Sequence, residues 1–139
     1  MTRLVKMICA LALAICSIQV KAEIVVVTSK NSPINTITQA EAKNIFLKKV
    51  DNIGGNKLNP IDLPQESSTR TDFYERVTNK SLDQVLSYWA RQIFTGKGSP
   101  PEVANSIEQL SFRLSRDPSL IGYALKDEVT DDILDLQQF

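Results

Sequence analysis

The chain has 139 residues, with 16 basic and 16 acidic side chains, two cysteines and no histidine. That length supports one domain of modest size with its own core. With no histidine and both cysteines near the N-terminus, imidazole acid–base chemistry and zinc sites are excluded.

The chain opens on Arg3 and Lys6, followed by an apolar stretch over residues 7–18 that is too short to span a bilayer. Val20-Lys21-Ala22 fits a small-residue cleavage pattern. The reading is a signal peptide over residues 1–22, cleaved after Ala22, and a single exported domain over residues 23–139 with a periplasmic destination. Cys9 and Cys16 fall inside the signal, so the mature part has no disulfide and no thiol nucleophile. Lipid attachment at Cys16 is disfavoured, because Ile15 is not the small residue such signals carry. Loss of Arg3, Lys6 and Lys21 leaves 13 basic against 16 acidic side chains, a net of −3. That balance gives no basis for nucleic-acid binding.

The mature part then alternates strands and helices. Residues 23–28, Glu-Ile-Val-Val-Val-Thr, form a continuous β-branched run and predict a buried strand. A polar turn containing Pro33 follows. Thr38-Gln39-Ala40-Glu41 is a capping-box pattern, and a short helix to about Lys48 turns Ala42, Ile45 and Phe46 inward. Gly54-Gly55 marks a loop or loose hairpin over residues 52–59. Residues 58–63 predict a second strand, its start placed at an edge by Pro60. A helix from Thr69 to about Asn79 carries Phe73 and Val77 on one face. Ser81 caps the clearest helix, with Leu82, Val85, Leu86, Trp89 and Ile93 in helical register. Gly96 and Pro100-Pro101 stop it. A helix over residues 101–116 places Val103, Ile107, Leu110 and Leu114 inward and ends at Asp117-Pro118. Residues 120–125 predict a third strand. The acidic tail over residues 127–135 reads as surface, with a last strand over residues 133–136. The class is α/β, a small mixed sheet flanked by helices.

Four places carry candidate chemistry. Ser67-Ser68-Thr69-Arg70 stands where a strand hands over to a helix. Unsatisfied first-turn N–H groups, hydroxyls and a guanidinium suit a tetrahedral oxyanion there. The same residues also serve as an ordinary helix cap. The turn over residues 95–99 contains Lys97 but lacks the spacing of a P-loop, and a helix stop explains it. The turn Ser29-Lys30-Asn31-Ser32 follows the first strand, where open α/β sheets hold ligands, and loop chemistry explains it equally well. Asp127, Glu128, Asp131 and Asp132 have no EF-hand spacing and read as a solvated face. Trp89 lies on a core stripe.

Three segments together resemble periplasmic phosphate-binding proteins of the ABC-transporter type. They are the capped helix Thr38-Gln39-Ala40-Glu41 running into Ile45-Phe46-Leu47, the strand Ile61 onward leading to Ser67-Ser68-Thr69 and Phe73, and Ile121-Gly122-Tyr123. Trp89 followed by Ile93-Phe94-Thr95-Gly96-Lys97-Gly98 is similar to short, single-lobe members of that family. Lys48 stands where the family pattern has glycine, and Ser68 replaces the glycine of its Ser-Gly-Thr. The family's arginine precedes the serine, where this chain has Leu63; Arg70 follows it instead. The resemblance implies a single lobe of a type 2 periplasmic binding protein. It also implies inorganic phosphate or a similar oxyanion held by Ser67, Ser68, Thr69 and Arg70, with a membrane transporter or sensor as protein partner. It implies no cofactor, no metal and no catalytic residue. The competing expectation is a periplasmic accessory or sensory interaction module that has lost ligand binding. An enzyme is the weakest reading, because Ser67 has no base nearby in sequence and adjacent Glu66 points away on an extended segment.

Overall fold

The structure, a computed structural model, describes residues 19–139. The basic and apolar parts of the expected signal lie outside the described residues. Strand β1 (Ile24–Ser29) is buried along its whole length, as its uninterrupted β-branched run predicts. It sits between β6 (Leu120–Leu125) and β7 (Ile133–Gln138), antiparallel to both. On the other side of β6 lies β4 (Asn59–Asp62), parallel to it, and then β5 (Glu102–Val103), parallel to β4. The order β5-β4-β6-β1-β7 makes a five-stranded mixed sheet. Asn59 and Pro60 pair only with β6, and β5 joins at Ile61. Proline therefore sits on a stretch of β4 with one partner strand, where a missing N–H is tolerated.

Helix α1 (Gln39–Phe46) opens with the expected capping box, Thr38 and Glu41 each serving the other's backbone N–H. Its Ala42, Ile45 and Phe46 are buried as the register predicts. Lys48 then turns the chain at φ 51. Strands β2 (Asn52–Ile53) and β3 (Asn56–Lys57) form a hairpin closed by Gly54 and Gly55 at φ 57 and 83. Only glycine takes that pair of angles without cost. Helix α2 (Ser68–Thr78) and helix α3 (Leu82–Phe94) follow, the second again with a capping box, formed by Ser81 and Gln84.

Two expectations needed correction. Residues 101–106 are not the start of a helix: Glu102–Val103 is strand β5, and helix α4 runs Ile107–Arg116 from its cap Ser106. Pro100-Pro101 favours extended backbone. Asp62 then captures the segment, its carbonyl accepting from Ala104 N at 2.9 Å. Ser106 Oγ accepts from Gln109 N at 3.1 Å and so fixes where α4 starts. Val103 is consequently exposed rather than core. The apolar stripe of α3 is also shorter than its register implied. Val85 and Trp89 are buried, whereas Ile93 is 57% exposed.

Helix α4 covers one face of the sheet, and α1 and α2 cover the other. Alternation along β6 shows the two faces. Gly122 meets α4, and a Cβ there would stand 2.8 Å from Leu110 Cδ1. Tyr123 faces the opposite way, stacked on Phe73 with ring centroids 3.9 Å apart. Phe46 and Tyr74 close edge-on around that pair. Each such buried aromatic contributes about 1.5–3 kcal/mol of transfer free energy, so this cluster anchors α1 and α2 to the sheet.

Candidate functional site

Strand β4 ends at Asp62, and the chain turns through Pro64, whose carbonyl accepts from Ser67 N at 2.9 Å. Ser67 is the N-cap of α2, its Oγ accepting from Arg70 N at 3.3 Å. Ser68 is exposed, and Ser67 and Thr69 are half-buried. The N–H groups of Ser68 and Thr69 lie in the first turn and have no acceptor within their own helix. That turn holds no acidic side chain, so nothing within it offsets the positive end of the helix dipole. Ser67, Ser68 and Thr69 thus form one polar helix head, with its amides directed away from the helix, as anion sites require.

Arg70 points the other way. It is buried, with NH2 of its guanidinium 3.3 Å from Asp62 Oδ2 and NH1 donating to the Leu63 carbonyl at 3.3 Å. Its Nε is buried with no partner among the described residues. Asp62 is also fully buried. Oδ2 accepts from Tyr74 Oη at 2.8 Å, and Oδ1 accepts from Tyr123 Oη and from Leu63 N, the latter at 3.0 Å. Burial raises the Asp62 carboxyl above the usual range, and the Arg70 charge and the two phenols work against that rise. Both tyrosines are pushed well above their usual value, first by burial and then by the Asp62 charge beside them. The result is a closed ion pair directly beneath the helix head.

Sequence reasoning picked out Arg70 but missed the partners that hold it. Two signals were available. Asp62 is a lone acid inside the apolar run Ile61 to Leu63, a position that burial makes costly unless a cation answers it. Tyr74 is four residues after Arg70, so both project from one face of α2. The topology also separates two of the candidate places. β1 runs opposite to β4, so its C-terminal turn lies at the far end of the sheet from the α2 head. There Ser29 Oγ accepts from Asn31 N at 3.1 Å, and its carbonyl accepts from Ser32 N at 3.0 Å. Gly96, at φ 69, ends α3 beside Lys97 as a helix stop. Trp89 is buried, as read from its stripe. The tail acids Asp127, Asp131 and Asp132 are exposed, and Glu128 Oε2 accepts from Leu125 N at 3.2 Å.

No protein-family model and no curated protein matches this sequence. Solved structures do match its fold. An ABC-type phosphate transport receptor from Vibrio cholerae aligns with a TM-score of 0.65 at 17% identity, over 84% of this chain and 46% of that one. A protein from Clostridium perfringens described as a phosphate ABC transporter substrate-binding protein, solved with bound phosphate, aligns with a TM-score of 0.67 at 22% identity, over 84% and 45%. PstS from Borrelia burgdorferi gives 0.62 at 19% identity, over 84% and 47%. The fold is therefore that of a single lobe of a type 2 periplasmic binding protein, and the chain spans less than half the length of these proteins.

Proposed function

We propose that this chain is an exported oxyanion-binding domain, and that inorganic phosphate or a similar tetrahedral anion binds at the head of α2. The observation that carries the reading is the position of Ser67, Ser68 and Thr69. They stand at the C-terminal end of β4, on a helix start free of acidic side chains, within a fold shared with phosphate transport receptors. In this reading the Ser68 and Thr69 amides and the hydroxyls of Ser67, Ser68 and Thr69 donate to the anion. Arg70 acts from beneath. Its fork is engaged with Asp62 and Leu63, so it supports the site by charge and by fixing the first turn rather than by holding the anion directly. Ser68 takes ordinary helical backbone, so the glycine of the family pattern is not required there for conformation.

A single lobe leaves the anion partly in water, where each charge-assisted bond is worth less. Affinity is then weak, with a Kd on the order of 1 mM, about 4 kcal/mol. The domain binds rather than catalyses, resides in the periplasm after signal cleavage, and works with a membrane transporter or sensor. Titration calorimetry of the purified chain with phosphate, sulfate and molybdate tests the reading. Heat with at least one anion, reduced about fivefold or more by Ser67→Ala with Thr69→Ala, is the expected result. No heat at millimolar concentrations of all three contradicts it.

One observation favours a second reading, an interaction module without ligand. The Ser67 Oγ already accepts from Arg70 N, and both terminal nitrogens of Arg70 are engaged by Leu63 and Asp62. In that case Ser67→Ala with Thr69→Ala leaves function in cells unchanged, and a pull-down recovers a membrane partner.

A further inference from the structure

A groove of about 500 Å³ lies at the end of β4 remote from the α2 head, bordered by β5, α4 and the turn after α1. Pro60, Ile61 and Leu120 supply apolar walls, and Phe112 stands beside them 58% exposed. That volume and an apolar lining with a few placed charges are the usual make-up of a small-molecule site. Lys48, Arg113 and Arg116 bring three cations to it, against the carboxylates of Glu102 and Asp117. Both carboxylates are engaged. Glu102 pairs with Arg113 at 2.5 Å. Asp117 accepts from the Ser119 hydroxyl at 2.7 Å and its N–H at 2.9 Å, and these bonds hold its carboxyl below the usual range.

Lys48 and Arg116 remain to meet a ligand. The Arg116 guanidinium lies over the Phe112 ring, 4.5 Å from its centroid, which gives the groove a flat cationic rim on an aromatic base. Lys48 reaches across to the Pro100 carbonyl at 3.5 Å. It does so from φ 51, a backbone state in which glycine is at ease and lysine is strained.

We propose that this groove binds a small organic anion, with a ring-bearing apolar body against Pro60, Ile61, Leu120 and Phe112 and one carboxylate or sulfonate met by Lys48 and Arg116. Charge complementarity selects the occupant: the groove carries a net of one positive charge in a mature chain whose net charge is −3. The probe is 8-anilinonaphthalene-1-sulfonate, followed by fluorescence on the purified chain, with neutral N-phenyl-1-naphthylamine as the uncharged comparison. The anion is expected to saturate one site at least about tenfold more tightly than the neutral ring system, and Arg116→Gln to weaken it about three- to tenfold. Phe112→Ala weakens both probes, and Arg91→Gln, on the exposed side of α3, changes neither. Lys48→Gly is expected to raise Tm while weakening the anionic probe, a pair of effects that a purely structural lysine does not produce. Equal affinity for the two probes, no change with Arg116→Gln, displacement by millimolar phosphate, or a raised Tm with unchanged binding in Lys48→Gly would each overturn the assignment.

Discussion

Asp62 is the residue on which the architecture beneath the helix head turns. Its carboxylate joins β4, α2 and β6 through Arg70, Tyr74 and Tyr123. Asp62→Ala strands a buried guanidinium, and loss of one partner of such a pair costs about 3–5 kcal/mol. Chemical denaturation read by Trp89 fluorescence is expected to show a loss of that order. Tyr123→Phe keeps the ring stacked on Phe73 but removes a hydrogen bond to a charged acceptor, for a loss of about 1.5–3 kcal/mol in the same measurement. The pH dependence follows from the direction of the Asp62 shift. Its folded carboxyl holds its proton more tightly than the unfolded one. Its contribution to stability is therefore fully present below the unfolded value of about 3.9 and declines as pH rises through its folded value. Asp62→Asn removes that slope, and a stability profile from pH 3 to 7 read against wild type checks it. At the alkaline end the two buried phenols stay protonated in the fold, so stability falls as pH rises past about 10, where unfolded tyrosine ionises.

At the scale of elements, much of the chain was legible because local signals and tertiary packing agree. The β1 run, the capping box at Thr38, the cap at Ser81 and the glycine pair of the hairpin each state their own structure and obtain it. The errors arose where a distant partner decided the outcome. Val103 has the right spacing for a helix before α4, yet the free edge of β4 takes that segment as a strand. Asp62 carries a local signal, but its partners sit 8, 12 and 61 positions away, on two elements whose approach no local pattern specifies. The structure makes Ser67 the N-cap of α2, and a cap and an anion site use the same atoms, so the sequence pattern does not separate the two roles. Ser67→Ala is expected to cost about 1 kcal/mol through loss of the cap. Gly122→Ala drives a methyl group into Leu110 across the β6–α4 contact. Overpacking of this kind costs about 1–3 kcal/mol, and thermal unfolding of the purified variant measures it.

At the scale of the whole molecule, one mixed sheet carries two chemically distinct ends. At one end, β4 leads into the α2 head, a row of hydroxyls and free amides over a closed Asp62–Arg70 pair. At the other, the groove beside Phe112 gathers the cations Lys48, Arg113 and Arg116. The fold matches less than half of the phosphate transport receptors it resembles. In the proposed reading, this lobe meets an anion at the α2 head from one side, and weak binding by the lobe is expected. Backbone amide NMR of the purified chain, titrated with inorganic phosphate, tests this most directly. The account predicts saturable shifts centred on the Ser68 and Thr69 amides, with a Kd on the order of 1 mM, and little movement at Lys48 or Arg116. Absence of any shift at the Ser68 and Thr69 amides up to about ten times that concentration, or shifts confined to the Lys48–Arg116 groove, would contradict it.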